Sequence, residues 1–187
     1  MRLLVGLGNI GQEYELTRHN FGFLLFDQIV KDHNLHGQSK KFKSEVFAGE
    51  ISGKKILALK PQTFMNNSGI AISEAATFFK IEPKNILVLH DEVDLDFGKV
   101  KVKIGGGNAG HNGLKSIDEI IGKDYMRLRL GVGRPENKNF STADYVLGKF
   151  STEELLAAAK INEKISKLIG ELFSEKADLF LNKFYSN

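Results

Sequence analysis

Apolar residues recur along this chain with two alternating periods, and the changes of period mark its elements. Arg2 to Gly6 reads as a short apolar strand that meets glycine at once. Phe21, Leu24, Leu25 and Ile29 then fall at helical spacing, so the pattern predicts a helix over about Asn20 to Lys31. His33 to Lys43 is polar and reads as loop. Two strand patterns follow, Ser44 to Glu50 and Lys54 to Lys60, joined as a hairpin through Ser52-Gly53 and ended by Pro61. Ser68 is placed to cap a helix to Lys80 that turns Ile72, Ala75, Ala76 and Phe79 inward. Asn85 to His90 carries Ile86-Leu87-Val88-Leu89, a continuous run suited to a strand covered on both faces.

The period changes again beyond that point. Lys99, Lys101 and Lys103 alternate with Val100, Val102 and Ile104, and in Tyr125 to Val132, Arg127 and Arg129 alternate with Met126, Leu128 and Leu130. Such alternation predicts strands with one buried and one wet face. A short helix is expected over Leu114 to Ile121. From Ser151-Thr152-Glu153-Glu154, a capping-box pattern, the chain reads helical to about Phe184 with a break near Gly170 or Ser174. Strands alternating with helices predict one α/β domain over residues 1–187. Its sheet is mixed, mostly parallel and twisted, with helices on both faces and a helical segment from about 151.

Composition narrows the chemistry. The 187 residues suit one domain, and the chain is long enough to fold without staples. With no cysteine, disulfides, thiolate metal sites and cysteine nucleophiles are excluded. No apolar run approaches the ~18 residues of a membrane span, and no signal-peptide pattern opens the chain, so a cytoplasmic location is expected. The net charge of +3 names no partner, but 21 Lys stand against 5 Arg, and their placement matters more than their sum.

Gly6-Leu7-Gly8-Asn9-Ile10-Gly11 matches the dinucleotide fingerprint letter for letter. Its context does not fit. Gln12 to Thr17 separate the glycines from any helix, and Asp32, at the spacing of the ribose-binding acid, follows a helix rather than a second strand. Close approach of backbones explains these glycines better.

Polar side chains gather in five segments: Asn9, Thr17 to Asn20, Phe64 to Ser68, His90 to Asp94, and Asn108 to Gly113. Asn9, Asn66 and Asp91 each follow an apolar strand or its extension, at the sheet edge where α/β proteins bind ligands. A histidine with a carboxylate partner and neighbouring amides can activate water and hold an oxyanion, which is acyl-bond hydrolysis without a covalent intermediate. Each residue also has a plainer reading. A histidine near a helix start can be a cap, an aspartate after a strand a turn residue, and an asparagine a partner for backbone groups.

Taken in order, these segments resemble one family. Gly6-Leu7-Gly8-Asn9 with Thr17-Arg18-His19-Asn20-Phe21-Gly22 is similar to the N-terminal signature of bacterial peptidyl-tRNA hydrolases. Lys60 to Asn66, His90 to Leu95, Gly105 to Lys115, Arg127 to Pro135 and Tyr145 to Gly148 match its later motifs. The resemblance implies hydrolysis of the ester joining a peptide to the 3′-terminal ribose of peptidyl-tRNA, which recycles tRNA, by a monomer that needs no metal or other cofactor. It implies His19 as general base and Asp91 as its orienting carboxylate. Asn9, Asn66 and Asn112 would hold substrate, water or oxyanion, with Met65 and Tyr14 lining the substrate site and Asn20 and His111 in support. Lys101, Lys103 and Arg129 match tRNA phosphate contacts, where a solvated sheet face is the plainer reading. Asn108-Ala109 stands where a His-Gly pair is common, which bears on the shape of the substrate channel. An RNA-binding relative without catalysis is the alternative, opposed by the presence of both His19 and Asp91.

Overall fold

A computed structural model describes residues 1–186. Its sheet has seven strands: β1 (Arg2–Gly6), β2 (His36–Lys41), β3 (Ser44–Ile51), β4 (Lys54–Pro61), β5 (Ile86–Glu92), β6 (Val100–Ile104) and β7 (Met126–Gly131). They lie in the order β2-β3-β4-β1-β5-β7-β6. The central four, β4-β1-β5-β7, run parallel, while β2, β3 and β6 pair antiparallel at the edges.

Period-2 alternation divides the core into two layers. Leu4, Leu89 and Leu128 face a cluster with Phe21, Leu25 and Ile29 of helix α1 (Phe21–Asp32), extended by α5 (Thr152–Phe173) and α6 (Ala177–Tyr185). Leu3, Val5 and Val88 face the other cluster, with Ile72 and Ala75 of α2 (Ser68–Phe79) and Leu114 and Ile117 of α3 (Asn112–Ile121). The expected mixed α/β sandwich is therefore present, and β5 is buried along its whole length as its apolar run requires.

Several local expectations are corrected. His33 to Lys43 is not all loop, because His36–Lys41 forms the edge strand β2, turning into β3 through Phe42 and Lys43 at positive φ. Its sequence, His36 to Lys41, holds no apolar side chain, so there is no alternation to read. Ser68 does not cap α2. It is the first helical residue, and its hydroxyl donates to the Met65 carbonyl at the start of a 3₁₀ turn, Met65–Asn67. The α4 helix (Thr142–Leu147) went unread. β7 has no wet face at Arg127, which is 1% exposed, because α3 covers that face and supplies Asp118 as its partner. Ile104, by contrast, stands 65% exposed at the end of the edge strand. The Ser52-Gly53 hairpin, the capping box at Ser151 and a helix break after Phe173 all stand as expected.

The first glycine-rich loop is explained by contact. A Cβ on Gly8 would meet the Phe23 ring at 2.4 Å, and one on Gly22 would meet the Leu89 carbonyl at 2.3 Å. The glycines let the start of α1 press against the ends of β1 and β5, which delivers the preceding turn, Arg18–Asn20, to the parallel strand ends.

Candidate active site

Asp91 lies near the end of β5, 2% exposed, between two histidines from different loops. His19, in the 3₁₀ turn before α1, places Nδ1 3.0 Å from Asp91 Oδ1 and 2.9 Å from Oδ2. His111, which caps α3, places Nε2 2.9 Å from Asp91 Oδ1.

Backbone donors set the tautomer of His111. Its Nδ1 accepts from the Gly113 and Leu114 amides at 3.1 and 3.3 Å, so the proton resides on Nε2 and is donated to Asp91. On His19 the same logic puts a proton on Nδ1, pointed at the carboxylate, and leaves Nε2 with the lone pair a general base needs. His90 is the third ring here. Its Nδ1 donates to the Asp91 carbonyl at 2.7 Å, and burial, reinforced by the neighbouring His111, pushes its pKa down to about 3.

Electrostatics within the pair are opposed and one-sided. Burial works to lower the pKa of His19, but the charge and hydrogen bond of Asp91 outweigh it and hold the imidazole above its ordinary value. Burial would raise Asp91, yet His19, His111 and their hydrogen bonds keep its carboxyl well below the usual range. One ligand atom each from His19, Asp91 and His111 lie within 4.8 Å of one another, close enough for a metal centre. The fit fails on chemistry, since the His111 Nε2 proton leaves that atom no lone pair for a cation.

Asparagine side chains build the adjoining wall. Asn20 clamps the backbone of Asn9, accepting from its N–H at 2.8 Å and donating to its carbonyl at 2.9 Å. Asn9 Oδ1 in turn accepts from the Met65 amide at 2.8 Å, which fixes the amide orientation and keeps its Nδ2 as a donor. The plain role of an asparagine, satisfying backbone, is thus filled by Asn20 with both side-chain groups and by Asn9 with Oδ1. Met65 is buried, whereas Asn66 and Asn112 are exposed beside Met65 and His111. Tyr14 is half-buried and meets Phe64 edge-on, with ring centres 6.5 Å apart.

A cavity of about 130 Å³ opens over His19, Asp91 and His111, walled by Asn108 to Asn112 on one side and by Thr142, Ala143 and Val146 of α4 on the other. The α4 wall was missed, although Ser141 and Asp144 carried a readable cap: the Ser141 hydroxyl accepts from the Asp144 amide at 3.0 Å. Ala109 takes φ +50 in the position expected to be restricted, so the loop keeps a glycine-like bend without glycine there. Lys101 and Lys103 face Arg129 and Arg127 across the β6–β7 ladder. Lys101 is exposed and Lys103 half-buried, while Arg129 donates through Nε to Glu92 at 3.0 Å.

Comparison with known proteins places this arrangement. A family model described as peptidyl-tRNA hydrolase matches residues 3–187. A protein named peptidyl-tRNA hydrolase from Wolbachia pipientis wMel is 50% identical over 182 residues, 97% of this chain and 98% of its own. Another so named, from Pelagibacter ubique, is 47% identical over 96% of both chains. The crystal structure of peptidyl-tRNA hydrolase from Acinetobacter baumannii superposes with a TM-score of 0.91 at 34% identity, covering 100% of this chain and 95% of that one. With the two-layered sheet, the His19–Asp91–His111 cluster and full-length similarity in agreement, the chain belongs to the peptidyl-tRNA hydrolase family.

Proposed function

We propose that this enzyme cleaves peptidyl-tRNA at the ester between the peptide and the 3′-terminal ribose, with His19 as general base on water. The observation that carries the assignment is the bond from His19 Nδ1 to the buried Asp91, which leaves Nε2 free to accept a proton. Nε2 takes that proton as the water oxygen bonds to the ester carbonyl carbon. Asp91 stabilises the resulting imidazolium by charge and hydrogen bond. The tetrahedral intermediate then expels the ribose oxygen, which takes the proton back from Nε2. Peptide acid and tRNA with a free hydroxyl leave, and the base is restored.

The side-chain amides of Asn9, Asn66 and Asn112 serve as donors for substrate and oxyanion. Met65 and Tyr14 form the apolar and aromatic border of the terminal nucleotide and peptide, and Asn20 and His111 support Asn9 and Asp91. Lys101, Lys103 and Arg129 hold phosphates of the acceptor end, which adds affinity without reading sequence. The working unit is a monomer, acting in the cytoplasm where peptidyl-tRNA arises, without metal or other cofactor.

The test is to supply purified enzyme with N-blocked peptidyl-tRNA and follow both products. Release of intact peptide acid and free tRNA in equal amounts supports hydrolysis. Retention of an intact ester on bound tRNA would instead identify a non-catalytic RNA-binding relative.

A further inference from the structure

Four cations share one face of the β6–β7 ladder, since Lys101 pairs with Arg129 and Lys103 with Arg127. Their sequence pattern is the same, but their surroundings are not. Arg127 is 1% exposed, withdrawn from any ligand on that face.

Its guanidinium is spent on the loop that carries His111. One terminal nitrogen donates to the Gly107 carbonyl at 2.8 Å, and the other reaches the Gly106 carbonyl at 3.4 Å and Asp118 Oδ1 at 3.1 Å. The plane lies 4.7 Å over the Tyr125 ring. Asp118 is held from two further directions, by the Tyr125 hydroxyl at 2.8 Å and by Asn108 Nδ2 at 3.3 Å. Gly105, Gly106, Ala109 and Gly110 all have positive φ, so this loop builds no regular ladder and its carbonyls need partners from outside. The planar fork of arginine meets several acceptors in one fixed geometry. Beyond the fork, Asn108 accepts from the His111 amide at 2.9 Å, and His111 meets Asp91.

Resting on the hydrolase reading above, we propose that Arg127 is a positioning residue. Through Gly106, Gly107 and the Asp118–Asn108 pair it fixes the loop that presents His111 to Asp91, and so sets the orientation of His19. It is not a fourth tRNA phosphate contact.

The experiment compares Arg127→Lys, Asn108→Ala and His111→Ala with the parent on peptidyl-tRNA, measuring kcat, KM against salt, the pH profile and melting temperature. Arg127→Lys keeps the charge but loses the fork. It is expected to lower kcat roughly 10- to 100-fold, the scale of a misplacement of about 1 Å, while KM and its salt slope stay at parent values. The acid limb of kcat/KM should move in the same direction as in His111→Ala, and Asn108→Ala should show a weaker form of the same signature. A raised KM with a flattened salt slope and unchanged kcat would make Arg127 a phosphate contact and overturn the proposal. Parent-like kinetics in folded Arg127→Lys would overturn it too. If Arg127→Lys does not fold, Asn108→Ala decides by the same criteria, a parent-like kcat and pH profile counting against the proposal. Parent turnover in the same assay tests the hydrolase reading separately.

Discussion

His111 Nε2 donates to the same Asp91 oxygen that lies 3.0 Å from His19 Nδ1, so one carboxylate receives both rings. His19 Nδ1 also lies 2.9 Å from the other oxygen, Oδ2, so both carboxylate oxygens serve as acceptors. An amide in its place has one oxygen and one NH₂ group.

Asp91→Asn therefore does more than remove a charge. The His111 proton is locked on Nε2 by the Gly113 and Leu114 amides and must meet the amide oxygen. His19 Nδ1 is left facing the NH₂ group and turns acceptor, which moves its proton to Nε2 and removes the lone pair on which the proposed base depends. Turnover should fall by about 10²–10⁴-fold, the range of general-base catalysis. The remaining activity should show its acid limb at lower pH than the parent, because the carboxylate that raises the His19 pKa is gone. Both are read from kcat/KM against pH, and an unchanged profile at full activity would uncouple the two residues.

On the basic face, the proposed phosphate contact of Lys103 predicts that neutralising it raises KM more than it lowers kcat, since a remote contact binds ground and transition states alike. The salt dependence of binding should flatten by roughly 0.7–0.9 per lost contact. Arg129→Ala should raise KM further, because it also strands Glu92, which is 7% exposed and bonded to Arg129. A small ester without the tRNA body should register neither change. Identical salt slopes on full tRNA would reduce these residues to a solvated sheet face.

Gly22 is a point where stability and catalysis meet. A Cβ there would lie 2.3 Å from the Leu89 carbonyl and 2.7 Å from the Leu7 carbonyl, both backbone atoms that cannot swing aside. Gly22→Ala should cost about 1–3 kcal/mol, as overpacked cores do. Urea unfolding reads the cost, and turnover should drop with it, because the 3₁₀ turn that leads directly into α1 carries His19 and Asn20. A variant as stable and active as the parent would show that the close approach is not required.

Acid stability should depend on His90. Its folded pKa, about 3, lies below the ordinary 6.5, so the unfolded chain takes up a proton that the folded chain refuses. Stability is then lost as pH falls from 6.5 toward 3, by about 1.4 kcal/mol per unit. His19 has the opposite sign. Its raised pKa contributes fully below 6.5 and is lost as pH rises through the folded value, so it does not mask the effect. Urea midpoints at pH 6.5 and 5 should differ less in His90→Gln than in the parent, and equal differences would count against the buried neutral ring.

The sequence made the central strands readable because both faces of β1 and β5 are covered and their apolar runs are continuous. It also made α1 readable, with Phe21, Leu25 and Ile29 on one buried stripe. Edge strand β2 was hidden, since His36–Lys41 pairs through backbone groups and carries no apolar alternation. Arg127 was misread for a different reason. Period alone shows which residues share a face, not whether the preceding helix brings an aspartate to cover that face. Motif order pointed to His19 and Asp91, but spacing could not show that they meet, nor that His111 completes the same carboxylate. Those contacts depend on strand order β1-β5-β7, which is a property of the whole sheet.

The most direct measurement is single-turnover cleavage of peptidyl-tRNA by parent and His19→Ala, with tRNA affinity and melting temperature determined on the same samples. His19 is 8% exposed at a cleft, and in the proposed mechanism it acts as a base rather than as a phosphate contact. Cleavage should therefore fall by about 10²–10⁴-fold while tRNA affinity stays at the parent value. Near-parent cleavage by a folded His19→Ala protein would remove His19 from the mechanism and contradict the account.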